Sequence, residues 1–156
     1  MKALYRLLII AALFFAYANT MQAQIEVKTS NGKSYVFDYQ NLKVYRQNLS
    51  RNSAQTTMAD NFLAKPKTPI RDVYRKVFSA ERLEELKHEK MVTKFTCDSN
   101  GKVETVEFLF FKEPFLSVDE IEKLEESFSG YTFDMQIFGE AAEHYTFALA
   151  CFFRKI

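Results

Sequence analysis

The chain of 156 residues contains no tryptophan and has only four glycines, three prolines, two cysteines and two histidines. The glycines form neither a GxGxxG pattern nor a P-loop, which excludes phosphate-binding loops of those two kinds. The 21 basic and 20 acidic residues nearly cancel, to a net charge of +1. This balance gives no electrostatic reason to expect nucleic acid or an anionic membrane surface as a partner.

Groups that could perform catalysis are scarce. His88 ends a predicted helix, where the helix dipole suits a basic side chain. His144 follows Glu143, and in an extended segment these neighbours point apart. The glutamate runs after residues 80 and 119 are typical of solvated helix faces. We therefore predict no catalytic set, no bound metal and no cofactor. The alternatives are a small periplasmic enzyme with an unrecognised site, and a secreted inhibitor or structural component.

The first 23 residues have the layout of a secretory signal peptide. Lys2 and Arg6 precede an apolar run, Leu7 to Ala18, which is shorter than the roughly 20 residues that span a bilayer. Small residues then allow cleavage after Ala18 or after Ala23, and we favour the second site. The prediction is an exported protein, periplasmic or extracellular, with no stable membrane insertion after cleavage.

Residues 24–156 have the length of one domain. Alternating apolar residues around Asn31-Gly32 predict a hairpin over 25–39. Residues 40–67 are rich in Asn, Ser and Thr and are predicted to be a partly ordered, irregular linker, with a short helix as an option. Thr68-Pro69 is a helix start, and apolar spacing predicts two helices over 68–90.

Residues 91–156 form the clearest unit. Two alternating strands, Met91–Cys97 and Val103–Phe111, flank an Asn-Gly turn. A capping box at Ser117 begins a helix over 118–128, and His144–Phe153 is a final strand after a weak strand at 131–138. A helix that crosses the sheet makes the last strand parallel to the second. The prediction is an α+β fold whose small antiparallel sheet has the order 2-1-3, with the helix packed on one face.

Aromatic residues are unusually common, with 16 Phe and 8 Tyr. Most should be core, but a sheet covered by one helix has a second face. Leu109, Phe111 and alternate residues of the last strand lie on this second face, and their apolar side chains need another surface to pack against. We expect the helices of residues 69–89 to cover this second face. The alternative is a surface exposed for a partner.

The unit over 91–153 resembles the C-terminal domain of TonB-like energy-transducing proteins. The similarity rests on Val92-x-x-Phe95, the turn from Asp98 to Val103, the capped helix and the aromatic last strand. Departures are the missing membrane anchor, the missing Pro-rich spacer, the absence of Pro from residues 131–143 and the absence of the Tyr-Pro pair ahead of the domain.

The resemblance implies a binding module that takes an extended peptide at the edge of its last strand, from another envelope protein or as a free peptide. Energy transduction needs an inner-membrane anchor and is not implied here. The oligomeric state is left open. The predicted partner-binding residues are Tyr145, Phe147, Ala148, Leu149, Ala150 and Phe153.

The two cysteines, Cys97 and Cys151, invite a disulfide in an exported protein. The order 2-1-3 argues against it, because Cys97 then lies opposite Tyr145, six residues from Cys151. At about 3.3 Å per residue this offset is roughly 20 Å, beyond the 4.4–6.8 Å between Cα atoms that a disulfide tolerates. We predict two free thiols.

Overall fold

A computed structural model describes residues 25–48, 56–57 and 62–156, with the backbone alone for residues 56–57. The predicted signal peptide, with both of its cleavage sites, lies outside the described residues. Strands β1 to β5 are Ile25–Ser30, Lys33–Asp38, Lys43–Arg46, Thr56–Thr57 and Phe62–Pro66. Helices α1 and α2, Arg71–Val77 and Ala80–Leu86, precede strands β6 and β7, Lys90–Asp98 and Val103–Phe110. Helix α3, Val118–Ser129, is followed by β8, Phe133–Ile137, then β9, His144–Phe152, and a 3₁₀ turn, Phe153–Lys155.

These strands form a seven-stranded sheet of order β1-β2-β3-β7-β6-β9-β4 and a separate pair, β5-β8. Within the large sheet β7, β6 and β9 are neighbours, and β6 is antiparallel to both. The α+β class and the predicted order 2-1-3 are therefore confirmed. Alternating residues of β6 place Met91, Phe95 and Cys97 on the buried face.

Helix α3 forms where its capping box predicts. The Ser117 hydroxyl accepts from the Glu120 amide, and the Glu120 carboxylate accepts from the Ser117 amide. Gly130 ends the helix. The apolar stripe of α3 packs on the sheet, with Ile121, Leu124 and Phe128 fully buried. The two reciprocal bonds satisfy amides that a helix otherwise leaves without partners.

Polar contacts fix the predicted hairpin to α3. The hydroxyl of Ser30 and the side-chain amide of Asn31 donate to the carboxylate of Glu122, at 2.5 and 2.7 Å, and the hydroxyl of Tyr35 donates to Glu125 at 2.6 Å. The bond from Ser30 is the main cause that lowers the pKa of Glu122, which is only 2% exposed. These bonds join residues about 90 positions apart and explain why acidic residues lie on the buried side of α3.

Residues 40–67 contain more strand than predicted. β3 completes a meander with β2 and joins the hairpin to β7, with Val44 opposite Phe108. β5 pairs with β8, Phe62 opposite Ile137. No helix lies among the described residues of this stretch. The prediction of an irregular linker was wrong at β3 and β5, because both strands are defined by partners distant in sequence, and short strands carry little local signal.

The expectation that residues 69–89 cover the second face of the sheet was also wrong. Tyr74 of α1 bonds Thr93 at 2.9 Å and meets the ring of Phe128, so α1 lies on the same face as α3. The strand pair β5-β8 lies there too, since Phe133 packs on Phe95. Among the described elements, therefore, those that pack on the large sheet all lie on the same face of it. Antiparallel sheets commonly leave their other face to solvent.

The predicted register of the cysteines is confirmed. Cys97 lies opposite Tyr145, and Cys151 lies opposite Met91. Both thiols are unbridged and buried, and burial raises the pKa of each to about 12. A disulfide between them would require β9 to shift by six residues.

We expect two free thiols per chain. A thiol reagent added to the denatured, unreduced protein should react with both Cys97 and Cys151. The folded protein should react slowly at neutral pH, because buried thiols with raised pKa values stay protonated. Zero reactive thiols after denaturation without reductant would contradict both the cysteine assignment and the strand register.

Candidate binding edge on the last strand

Strand β9 lies next to the border of the large sheet. One side of it pairs with β6 along its whole length. The other side pairs in parallel with β4 at only two positions, Thr56 opposite His144 and Thr57 opposite Tyr145. The start of the predicted edge is thus occupied. From Thr146 to Phe152, no strand of the described residues pairs with this side.

The direction of the backbone groups follows from the ladder. The amide of Phe153 donates to the carbonyl oxygen of Glu89, so residue 153 points its backbone groups toward β6. Direction alternates along an antiparallel strand. The N–H and C=O groups of Ala148, Ala150 and Phe152 therefore point away from β6, to the unpaired side. We call these outward backbone groups, together with the side chains of the same three residues, the β9 edge.

The predicted partner-binding residues divide between the two faces of the sheet. Tyr145 is buried against Phe62, and Phe147 packs on Phe95, Phe133 and Phe62. Leu149 is partly buried in the core, and Phe153 is buried against rings of the helical layer, Tyr74, Phe78 and Phe115. The side chains of these four residues are thus not presented beside the outward backbone groups.

Ala148 and Ala150 are exposed, as a partner site requires. Sequence reasoning missed Phe152, which is 48% exposed and lies on the same face as the two alanines. The period of two in the strand could have shown this, since residues 148, 150 and 152 share a face. The edge therefore presents two small side chains followed by one large ring.

The sequence of this edge lacks the features that usually protect one. From Thr146 to Phe152 there is no charged residue and no proline. Natural edge strands are commonly protected by lysine, proline or a bulge, because unpaired backbone groups template the addition of another strand. An exposed border without such devices is suited to accept a guest strand.

The face of the sheet opposite the helices, which we call the open face, carries rows of side chains across β7, β6 and β9. Leu109, Val92 and Ala150 form one apolar row. The next row toward the turn is polar, because Lys94 and Glu107 pair at 3.5 Å. At the other end of the face Phe111 is 57% exposed. The open face extends from β7 across β6 and β9, and so reaches the β9 edge.

The two histidines lie far apart. His144 is opposite Asp98 at one end of β9, and His88 precedes Lys90, which is opposite Phe152 at the other end. Eight residues of strand separate these ends by about 26 Å. His144 contacts the carboxylate of Glu104 at 2.7 Å, a pair that the sequence did not reveal. Among the described residues no group of three or more His, Cys, Asp or Glu side chains is placed to hold a metal ion.

Two concave regions occur away from the edge. A cavity of about 110 Å³ lies between α3 and the sheet, lined by Lys33, Arg46 and Glu125 among others. A groove of about 750 Å³ between α1 and α3 is lined by Pro69, Arg75 and other residues. Neither is lined by a histidine or a cysteine.

Comparison with known proteins bears on the fold alone. No protein-family model matches the chain, and no curated protein matches it. The crystal structure of a DUF5043 family protein from Bacteroides uniformis ATCC 8492 is similar, with a TM-score of 0.59 and 11% sequence identity. The match covers 82% of this chain and 85% of that one. In the part of the chain that the structure describes, no helix has the length and apolar character needed to cross a membrane.

Proposed function

We propose that the chain is an exported, non-catalytic binding module, which takes up an extended segment of an envelope protein or a peptide as a further strand beside β9. The observation that carries this proposal is the outward direction of the backbone groups of Ala148, Ala150 and Phe152. In strand addition, main-chain bonds supply affinity and alternate side chains supply specificity. The proposal keeps the peptide-binding role that the TonB-like resemblance implies and leaves energy transduction aside.

The other side of β9 supports the same function. Tyr145, Phe147 and Phe153 are held in the aromatic core, so the strand that would receive the guest is fixed before binding. A rigid acceptor loses little conformational entropy when a partner orders against it. Most of the conformational entropy lost on binding would therefore be lost by the guest strand.

Replacement of Ala150 by proline tests the edge. Ala150→Pro removes an outward N–H and leaves the ladder to β6 intact, so we expect a folded protein that binds less tightly. A capped ten-residue peptide of alternating Thr and Val serves as the guest, because these residues favour strands. Loss of one such hydrogen bond should weaken binding about two- to tenfold. Fluorescence anisotropy measures the affinity, and circular dichroism checks the fold.

The matched control is Ala150→Ser, which keeps the amide and a small side chain and should bind like the natural protein. Hydrogen exchange gives an independent readout. The amides of Ala148, Ala150 and Phe152 should exchange fast in the free protein and slowly with peptide bound. Those of Leu149 and Cys151 should be protected in both states. Equal binding by a folded proline variant, with unprotected β9 amides, would refute strand addition.

A further inference from the structure

A basic corner of the open face lies at the Phe152 end of the β9 edge. It consists of Lys90, Lys155, Phe111 and Phe152. Lys90 is directly opposite Phe152 on the neighbouring strand, and its ammonium lies 4.4 Å from the ring centre of Phe111. The ammonium of Lys155 lies 5.3 Å from the ring centre of Phe152. Two cations and two exposed rings thus occupy one end of three adjacent strands.

Neither of these two cations forms an ion pair within the part of the chain that the structure describes. Among the described residues no carboxylate lies within 4 Å of the ammonium of Lys90 or of Lys155. The nearby Lys112 differs, because it is paired with Glu89 at 2.8 Å. The rings contribute their own attraction for the ammonium groups but leave their charge uncompensated. The basic corner is therefore complementary to a negative group.

We infer that the guest strand carries an acidic side chain on the open face beside Phe152, where it lies next to Lys155 and on the same face as Lys90, which is one strand further in. This inference rests on the strand-addition function proposed above. A guest strand lies about 4.8 Å outside β9, and every second side chain points to the open face. A guest residue beside Phe152 with this orientation shares the face of both ammonium groups. A terminal carboxylate lies in the plane of the backbone and is less well placed to reach them.

The rest of the open face defines the other guest positions. Next to the basic corner, Ala150 and Val92 are small or half-buried and continue to Leu109 as an apolar row. A large apolar guest side chain beside Ala150 can lie over this row and bury it. The recognised segment is thus a strand with one acidic residue and a bulky apolar residue two positions from it.

Three peptides test the inference. The capped Thr-Val peptide is made with Asp, Asn or Lys at one central position, so that Asn keeps the shape of Asp without its charge. We expect the Asp peptide to bind about two- to fivefold more tightly than the Asn peptide, and the Lys peptide to bind most weakly. The advantage of Asp should shrink as salt is added, because exposed charges are screened.

Protein variants assign the effect to the basic corner. In the double variant Lys90→Gln with Lys155→Gln, the Asp and Asn peptides should bind alike. Lys123→Gln, which removes an exposed lysine of α3 on the other side of the sheet, should keep the preference. Equal affinity of the Asp and Asn peptides for the natural protein would overturn the acidic preference. If Ala150→Pro still weakened both peptides, the edge itself would stand.

Other occupants of the edge give different results. Failure of all three peptides to bind would overturn strand addition together with the acidic preference. A dimer in sedimentation that Ala150→Pro abolishes would mean that a second copy fills the edge, and would overturn the inference. Binding to vesicles of phosphatidylglycerol but not of phosphatidylcholine, without preference for the Asp peptide, would assign the basic corner to a lipid surface instead.

Discussion

Gly101→Ala should destabilise the protein far more than the same change at Gly32. Both glycines follow an asparagine in a hairpin turn, and both have a φ of +79°. An alanine at either site occupies the left-handed region at a cost of about 1–2 kcal/mol. A Cβ at Gly101 would also lie 2.1 Å from the carbonyl oxygen of Phe133, whereas at Gly32 no atom of the described residues, apart from its chain neighbours, lies within 4 Å. Relief of such overlap costs about 1–3 kcal/mol more.

The crowding at Gly101 has a topological cause. The chain between α3 and β8 crosses the turn that joins β6 and β7. There the Phe133 amide donates to the Gly101 carbonyl oxygen at 2.9 Å, and Lys102 and Thr132 form an isolated antiparallel β-bridge. A side chain at residue 101 would push this crossing away. Urea denaturation of both variants measures the difference in the free energy of unfolding. Equal losses would mean that β8 does not approach the turn as closely as described.

Sequence patterns sufficed for the elements whose signals are local. The Asn-Gly turns at Asn31 and Asn100, the capping box at Ser117 and the period of two in β6 each predicted their element. The order 2-1-3 then followed, since a helix that crosses a sheet leaves few arrangements.

The remaining errors arose where distant partners decide the structure. β3 and β5 are short, and their partners β7 and β8 lie more than 60 residues further along the chain. The placement of α1 on the same face as α3 depends on Tyr74, whose hydroxyl bonds Thr93 inside the core. A polar residue in the middle of β6 gave no sign of this contact. The predicted residues at the β9 edge belong to both faces of the strand, because residues 147–152 are apolar throughout and carry no polar alternation that marks the exposed face.

The aromatic residues divide into a core set and a surface set, and truncation should separate them. Phe95 is fully buried and packs on Phe128, Phe133 and Phe147, at ring distances of 5.1, 5.1 and 5.6 Å. Phe95→Ala should lower the free energy of unfolding by about 3–5 kcal/mol, since it removes a ring and leaves a cavity between two layers.

Phe111→Ala is the matched control, because it truncates the same side chain on the open face. Phe111 is 57% exposed, so the loss of stability should be within about 1 kcal/mol. Its effect should appear instead in binding, because the ring that holds Lys90 at the basic corner is lost and the advantage of the Asp peptide should fall. Chemical denaturation and peptide titration of both variants check this division. Comparable destabilisation by the two truncations would show that the open face is covered in solution, and that the surface proposed for the guest strand is not available.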